Sequence, residues 1–530
     1  MKKKRKFLLS GITVLIMALM MAVPMSVSAA NGNAASVDGY EYPTLEAAIK
    51  AAEDGDTITL LSNTEVGGIR LDKSLIFDLS GNTITGSDTD AYVFSPWDVD
   101  TIFKDGVIEV IRQTPGSMGI QAVGGNLTLD DVELKVIVPN GTSDYNYGIK
   151  SFASVDADED GIVDDPVNVV INNSTITEVA NTEADETYGA VGVIVVGKHK
   201  NDTVNDNLEN RDAALEINNS TITMSAFAVS GNGAAHGTKI DINNSTLTSK
   251  NAAAIYHPQI GEMNINGGTI TGETGIEVRA GIVNISNGAN IIATGDPTTV
   301  DPNGNGTTTV GAALAVAQHT TKLPITVNIE NGNLSGASAL VANNPEKNDE
   351  EAIEKVNVYI ENGQFDGLVA TNDGGKIEVA GGIFDNLDKS VDVVASDVAE
   401  ITQDDLTKTV VGLGNINEAI KDAPEGTIVK FISAAENTEI EAPAGVTVTN
   451  DTDTTISVNG EVLDIGETIE IVAPETPPTD QPSDKPQQEK PADGKAPETG
   501  DDIDLGLLTG IMLMAIVAGA AAIGLRRNKA

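Results

Sequence analysis

No cysteine occurs in the 530 residues, so no disulfide framework holds this chain together. Many exported bacterial proteins lack one too, so the absence leaves the compartment open. Aromatic residues are only 3% of the chain, too few for a broad stacking platform. Trp97, in VFSPWDVD, is read as packed against neighbouring strands, with stacking on a sugar as the alternative. Histidine is scarce as well: His199, His236 and His319 fall in turn-like stretches without the paired spacing of a transition-metal site. Positive charge is the third deficit. Against 78 acidic residues stand 32 basic ones, a net charge of −46. Such a surface repels nucleic acid and anionic lipid and favours solubility and cation binding. Nucleic-acid binding is excluded on this ground.

The two ends are richer in signal. MKKKRK, then the apolar FLLSGITVLIMALMMAV, Pro24 and the small residues SVSAA, read as a secretory signal peptide over residues 1–30. Leu505 to Leu525 is an uncharged run of 21 residues, long enough to span a bilayer, and RRNK after it is expected to stay cytoplasmic. Just upstream stands KAPETGDD. This three-part end resembles the cell-wall sorting signals of Gram-positive surface proteins, in which Leu-Pro-X-Thr-Gly precedes an apolar span and a basic tail. The match covers Pro497, Glu498, Thr499 and Gly500, while Ala496 stands where the family has Leu and leaves the sortase class open.

The resemblance implies a sortase that cuts after Thr499 and joins it to peptidoglycan, with membrane contact only through 505–525 before processing. A retained membrane tail is the alternative. Either places the bulk of the chain outside the cell. Setting aside five basic residues of the leader, and three basic and three acidic residues from Gly500 onward, leaves 24 basic against 75 acidic, net −51.

Between the ends the chain repeats itself. INNSTIT begins at Ile171 and again at Ile217; INNSTLT follows at Ile242 and INGGTIT at Ile265. Aligned copies put Ile171, Ile217, Ile242, Ile265, Ile285, Ile329, Ile360 and Val379 at one apolar position. Two residues on stand Asn173, Asn219, Asn244, Gly267, Asn287, Asn331, Asn362 and Gly381. Asn and Gly most readily accept a left-handed backbone, so this column predicts a turn.

A second apolar stretch lies between copies, and repetition at roughly 20 to 25 residues predicts a solenoid. The expected fold is all-β, a right-handed parallel β-helix of about a dozen coils and roughly 60 Å, given ~4.8 Å between strands. Gaps of 46 and 44 residues, after Ile171 and Ile285, fit either an unmarked coil or inserted loops. Inward Ile would form a ladder, and the turn Asn would hydrogen-bond to its equivalents. INNSTIT is thus a stacking unit without chemistry of its own.

YPTLEAAIKAAEDGD predicts a helix that covers the first coil, with Thr44 as N-cap, Leu45, Ala48, Ile49 and Ala52 on one face, and Gly55 at its end. Together with LIFDLSGNTITG it resembles the pectin-lyase-like β-helix of bacterial surface proteins, over residues 38–390. A second helix is predicted from Asn415. Residues 391–473 read as a C-terminal cap or, preferably, a small β-rich domain. Residues 474–495 read as a disordered, Pro-rich stalk that crosses the wall, and 496–530 as the sorting signal.

Two stretches carry candidate chemistry. DADEDGIVDD offers Asp156, Asp158, Asp160 and Asp164 as side-chain ligands, and the Ile162 carbonyl, at the spacing Ca²⁺ uses. It resembles the loops of thrombospondin type 3 repeats and, more distantly, EF-hands, although Val167 stands where an EF-hand has its bidentate Glu. A structural calcium site, or simply an acidic loop, follows.

The second is AIYHPQIGEMNINGGTITGETGIEVRAG. If Ile255 stacks on Ile276, then Tyr256, His257, Glu277 and Arg279 form one polar cluster. A lyase would use Arg279 as base; a hydrolase needs paired carboxylates, and Glu277 has no evident partner. Asp130 and Asp131 are adjacent in a strand and would point to opposite faces. The plainer alternative is a Glu277–Arg279 surface pair under Tyr256. The functional expectation is adhesion, or contact with a glycan or host matrix, with a polysaccharide lyase or glycosidase and a passive envelope spacer as rivals.

Overall fold

The computed structural model describes residues 32–86, 91–111, 116–138, 145–153, 166–180, 189–197, 212–233, 237–299 and 307–473. The leader, the calcium-type loop with Asp156, Asp158, Asp160, Ile162 and Asp164, the stalk and the sorting segment lie outside the described residues. Among the described residues no helix is long and apolar enough to cross a membrane.

The chain is nearly all β, and most strands join one sheet of 39, paired largely in parallel. Three ladders organise it. The first runs through Val167–Asn172, Ala213–Asn218, Thr238–Asn243, Gly261–Asn266, Gly281–Ser286, Ile325–Ile329 and Val356–Ile360. The second follows two residues later in each turn, from Thr175–Ala180 through Thr221–Met224, Thr246–Ser249 and Thr269–Gly272. The third includes Ile69–Leu71, Tyr92–Pro96, Met118–Val123, Asn146–Phe152, Ala190–Val196, Val229–Gly231, Ala253–His257, Thr274–Val278 and Ala312–Ala317. A chain that returns to the same ladder every third strand is consistent with a parallel β-helix.

The apolar column is unbroken: Ile171, Ile217, Ile242, Ile265, Ile285, Ile329, Ile360 and Val379 pair in sequence. Ile171 pairs directly with Ile217, and Ile285 with Ile329, so the two long gaps hold insertions and no hidden coil. Between the ladders lies one continuous core, in which Phe77 stacks on Phe103 at 4.8 Å and Phe365 on Phe384 at 4.7 Å.

The heptad's parts now separate. Asn173, Asn219, Asn244, Gly267 and Asn287 do take positive φ, from 46° to 72°. Asn331, Asn362 and Gly381 do not; after the last two, Gly363 (φ 138°) and Gly382 (φ 127°) take it instead.

The hydrogen-bonded asparagines are the ones before the turn, which corrects the expectation. Asn218 donates to Asn172 (2.9 Å), Asn243 to Asn218 (2.8 Å) and Asn266 to Asn243 (2.8 Å). Each of these residues is still in the strand and points its amide along the stack to its equivalent on the adjacent coil.

A second spine follows. The Ser174 N–H donates to Ser220 Oγ (3.1 Å) and the Ser220 N–H to Ser245 Oγ (3.0 Å). Each of these serine hydroxyls donates onward, that of Ser220 to the Asn218 carbonyl at 2.7 Å. Buried amides at the turn thereby find acceptors that no strand supplies.

Helix α1, Leu45–Ala51, has the expected cap: Thr44 Oγ1 accepts from the Ala47 N–H at 3.2 Å. Leu45 and Ala48 are buried, and the helix packs on the first strands. It stops before Gly55, because Ala52 is already extended (ψ 146°) and the Gly55 N–H is taken by the Ser74 carbonyl. Helix α2 is Glu350–Ile353 and α3 is Leu413–Ile420. The latter begins two residues ahead of Asn415, whose side chain ties back to the Val411 carbonyl at 2.8 Å. Residues around α3 build a separate core that includes Ile416, Ile420, Val429, Phe431 and Val448. An antiparallel pairing of Gly382–Leu387 with Leu406–Val411 nonetheless joins this region to the main sheet.

Candidate functional site

The third ladder is where the sequence places its candidate chemistry. Ile255 pairs with Ile276 and Tyr256 with Glu277, and the Arg279 N–H donates to the His257 carbonyl at 2.9 Å. The four residues are therefore brought together. They are not on an open face: Tyr256 is 7% exposed and His257, Glu277 and Arg279 are 0% exposed.

Two segments from later in the chain cover them. Glu277 Oε1 accepts from the Thr308 N–H (3.0 Å) and the Thr308 hydroxyl, and Oε2 accepts from the Thr309 N–H (3.4 Å). Arg279 donates through Nε to the Ala317 carbonyl (2.9 Å) and through Nη2 to Glu346 (2.8 Å). Gln318, also buried, donates to the Leu323 and Ala352 carbonyls and accepts from Asn348. The Glu277–Arg279 pair expected on the surface is thus two buried staples with separate partners.

Burial sets their protonation. It pushes the Glu277 carboxyl up to about 7, although the Thr308 hydrogen bonds and the Arg279 charge pull the other way. Burial likewise pulls His257 down to about 4, with the Gly261 backbone offsetting only part of it. Among the described residues neither ring nitrogen of His257 finds a well-formed hydrogen bond, and Gln259 Oε1 finds none either. A neutral, covered imidazole is poorly placed to donate a proton to a polymer, since general acid–base work requires contact with the reacting atom.

Asp131 does not alternate with Asp130: its φ is +56°, the turn conformation of Asn173, because Asp130 pairs with Asn172. With Asp105 and Glu133 it lines a shallow depression. Among the described residues no group of three or more His, Asp or Glu side chains is arranged to hold a metal ion. His319 is half-buried beside the Thr320 hydroxyl (3.0 Å); His199 and His236 lie outside the described residues.

What composition concealed is where the aromatics go. Of 18 in the chain, Tyr92, Trp97, Tyr145, Tyr147, Phe152, Phe227 and Tyr256 border the outer side of the third ladder. Phe227 and Tyr256 belong to a cluster separate from the core, with Tyr145 and Tyr147 packed against it. Trp97 is half-buried; its Nε1 donates to Ser95 Oγ at 2.8 Å, and the Arg70 guanidinium lies 4.0 Å from the ring centre. Lys150 Nζ lies 5.0 Å from the rings of both Tyr147 and Phe152. The signal was the alternation of Lys150 and Phe152 with inward Ile149 and Ser151, which a percentage averages away; Tyr147 has the parity of Ile149 and escapes burial only because Gly148 and Ile149 are buried side by side. No protein-family profile, curated protein or solved structure matches this chain.

Proposed function

We propose that this chain is an exported surface protein of a Gram-positive cell, joined to the wall through Thr499 and held out on the 474–495 stalk. Its body is a right-handed parallel β-helix whose first coil is covered by α1, and it works by contact with a glycan or host matrix along one face. The observation that carries the reading is the gathering of seven of the chain's 18 aromatics on the outer side of the third ladder, with Phe227 and Tyr256 buried and the other five half-buried at the surface. Amphipathic rings at a surface favour partners that are apolar on one side and wet on the other, as sugars are. Calcium, bound by Asp156, Asp158, Asp160, Asp164 and the Ile162 carbonyl, belongs to the same proposal as a structural ion.

Two experiments test it. Thr499→Ala should move the protein from wall to membrane fractions; unchanged fractionation removes the sorting reading. The full-length chain should be retained on immobilised glycans or matrix proteins. Failure on every one of them leaves the spacer role.

A further inference from the structure

We propose that the outer side of the third ladder between Arg70 and Phe152 is a binding site for a carboxylate-bearing polysaccharide; this rests on the glycan-contact reading above and names its ligand class and position. The same ladder has two halves. From Glu277 onward it is closed: Thr308 and Thr309 are fixed on Glu277, and Glu346 on Arg279. In the other half, Arg70 is exposed, and Trp97, Gln121, Tyr147, Lys150 and Phe152 are half-buried.

These six residues are ordered by pairing. Arg70 pairs with Ser95 and Gln121 with Lys150, while Phe94 beside Ser95 pairs with Ile120 beside Gln121. Arg70 and Lys150 therefore stand three rungs apart, ~14 Å at the ordinary strand separation. Along a neighbouring column Trp97 bridges to Val123, which pairs with Phe152. Each cation sits against an aromatic ring, Arg70 on Trp97 and Lys150 on Tyr147 and Phe152. Rings next to cations, with one amide between, match a chain of apolar-faced sugars that bears spaced carboxylates. A guanidinium lying over an indole still presents its edge to a carboxylate in the two-bond geometry that arginine favours. The span suits several sugar units in a row along the stack. With a net charge of −46, the chain repels polyanions in general, so affinity has to come from these local pairs together with the rings.

The test uses the full-length chain and immobilised polygalacturonate, alginate and hyaluronan, each against its carboxyl-esterified form. Retention should be at least tenfold stronger on one or more of the acidic polymers than on its ester. Arg70→Gln/Lys150→Gln should lose that tenfold on the acid while leaving the ester unchanged, and Trp97→Ala should weaken both. An unshifted thermal midpoint in each variant shows that the fold is intact. Equal binding to acid and ester, or a double variant that binds the acid as the parent does, overturns the inference. Retention on neutral glycans alone also overturns it, but leaves the glycan-contact reading in place. No retention on any glycan removes both.

Discussion

Replacing Glu277 with Gln tests whether a buried carboxyl fastens the covering segment. The folded chain holds this carboxyl at about 7 against an ordinary value of 4.5, mainly by desolvation. A raised acid pKa means that the folded state keeps a proton the unfolded state has released between those values. Its stabilising share is complete below pH 4.5, declines as pH rises through the window, and is gone above 7. The span corresponds to about 3 kcal/mol. Urea unfolding, followed by circular dichroism at pH 5 and pH 8, measures it. The parent should lose about 2.5 kcal/mol more than Glu277→Gln between the two pH values, since part of the span is already lost at pH 5 and other carboxylates cancel in the difference. The glutamine carbonyl still accepts from Thr308, so the variant should fold. Identical pH dependence in the two proteins would refute the argument.

Other consequences follow the same logic. Arg279→Ala leaves Glu346, itself 8% exposed, without its partner and should cost ~3–5 kcal/mol, while Arg279→Met with Glu346→Met should recover most of it. A double-mutant cycle by urea unfolding checks this. Ser220→Ala removes the acceptor of the Ser174 N–H and should cost ~1–3 kcal/mol; Ser220→Thr keeps that acceptor and should cost less in the same assay. For the loop outside the described residues, Asp158→Asn with Asp160→Asn should abolish any rise in thermal midpoint on adding Ca²⁺. No rise in the parent removes the site.

Much of the architecture was legible because it is written in local, repeated signals. Each of the eight residues from Ile171 to Val379 recurs with its neighbours, so the column could be read without knowing the fold. The Thr44 cap needs only three residues. What was illegible depends on contacts between distant segments. Nothing near Glu277 says that Thr308, 31 residues later, will cover it, or that Glu346 will return to Arg279. The choice between the two asparagines of INNS was obscure for a different reason. Both are polar, and only the backbone turn decides which of them hydrogen-bonds to its equivalent on the next rung. Helix α3 started early because Gly412, at φ 92°, turns the chain into it, while Asn415 serves the preceding strand.

The turn between the first and second ladders keeps its length through the repeat: two residues link Asn172 to Thr175, Asn218 to Thr221, Asn243 to Thr246 and Asn266 to Thr269. The inserted lengths all fall at the borders of the third ladder. One seam thus acts as a datum line. With the Asn spine holding four successive rungs in register there and the Ser spine three of them, the opposite edge is free to gain or lose residues without a slip in those strands. Such a division lets one side of the molecule change its contacts over generations while the other side keeps the count.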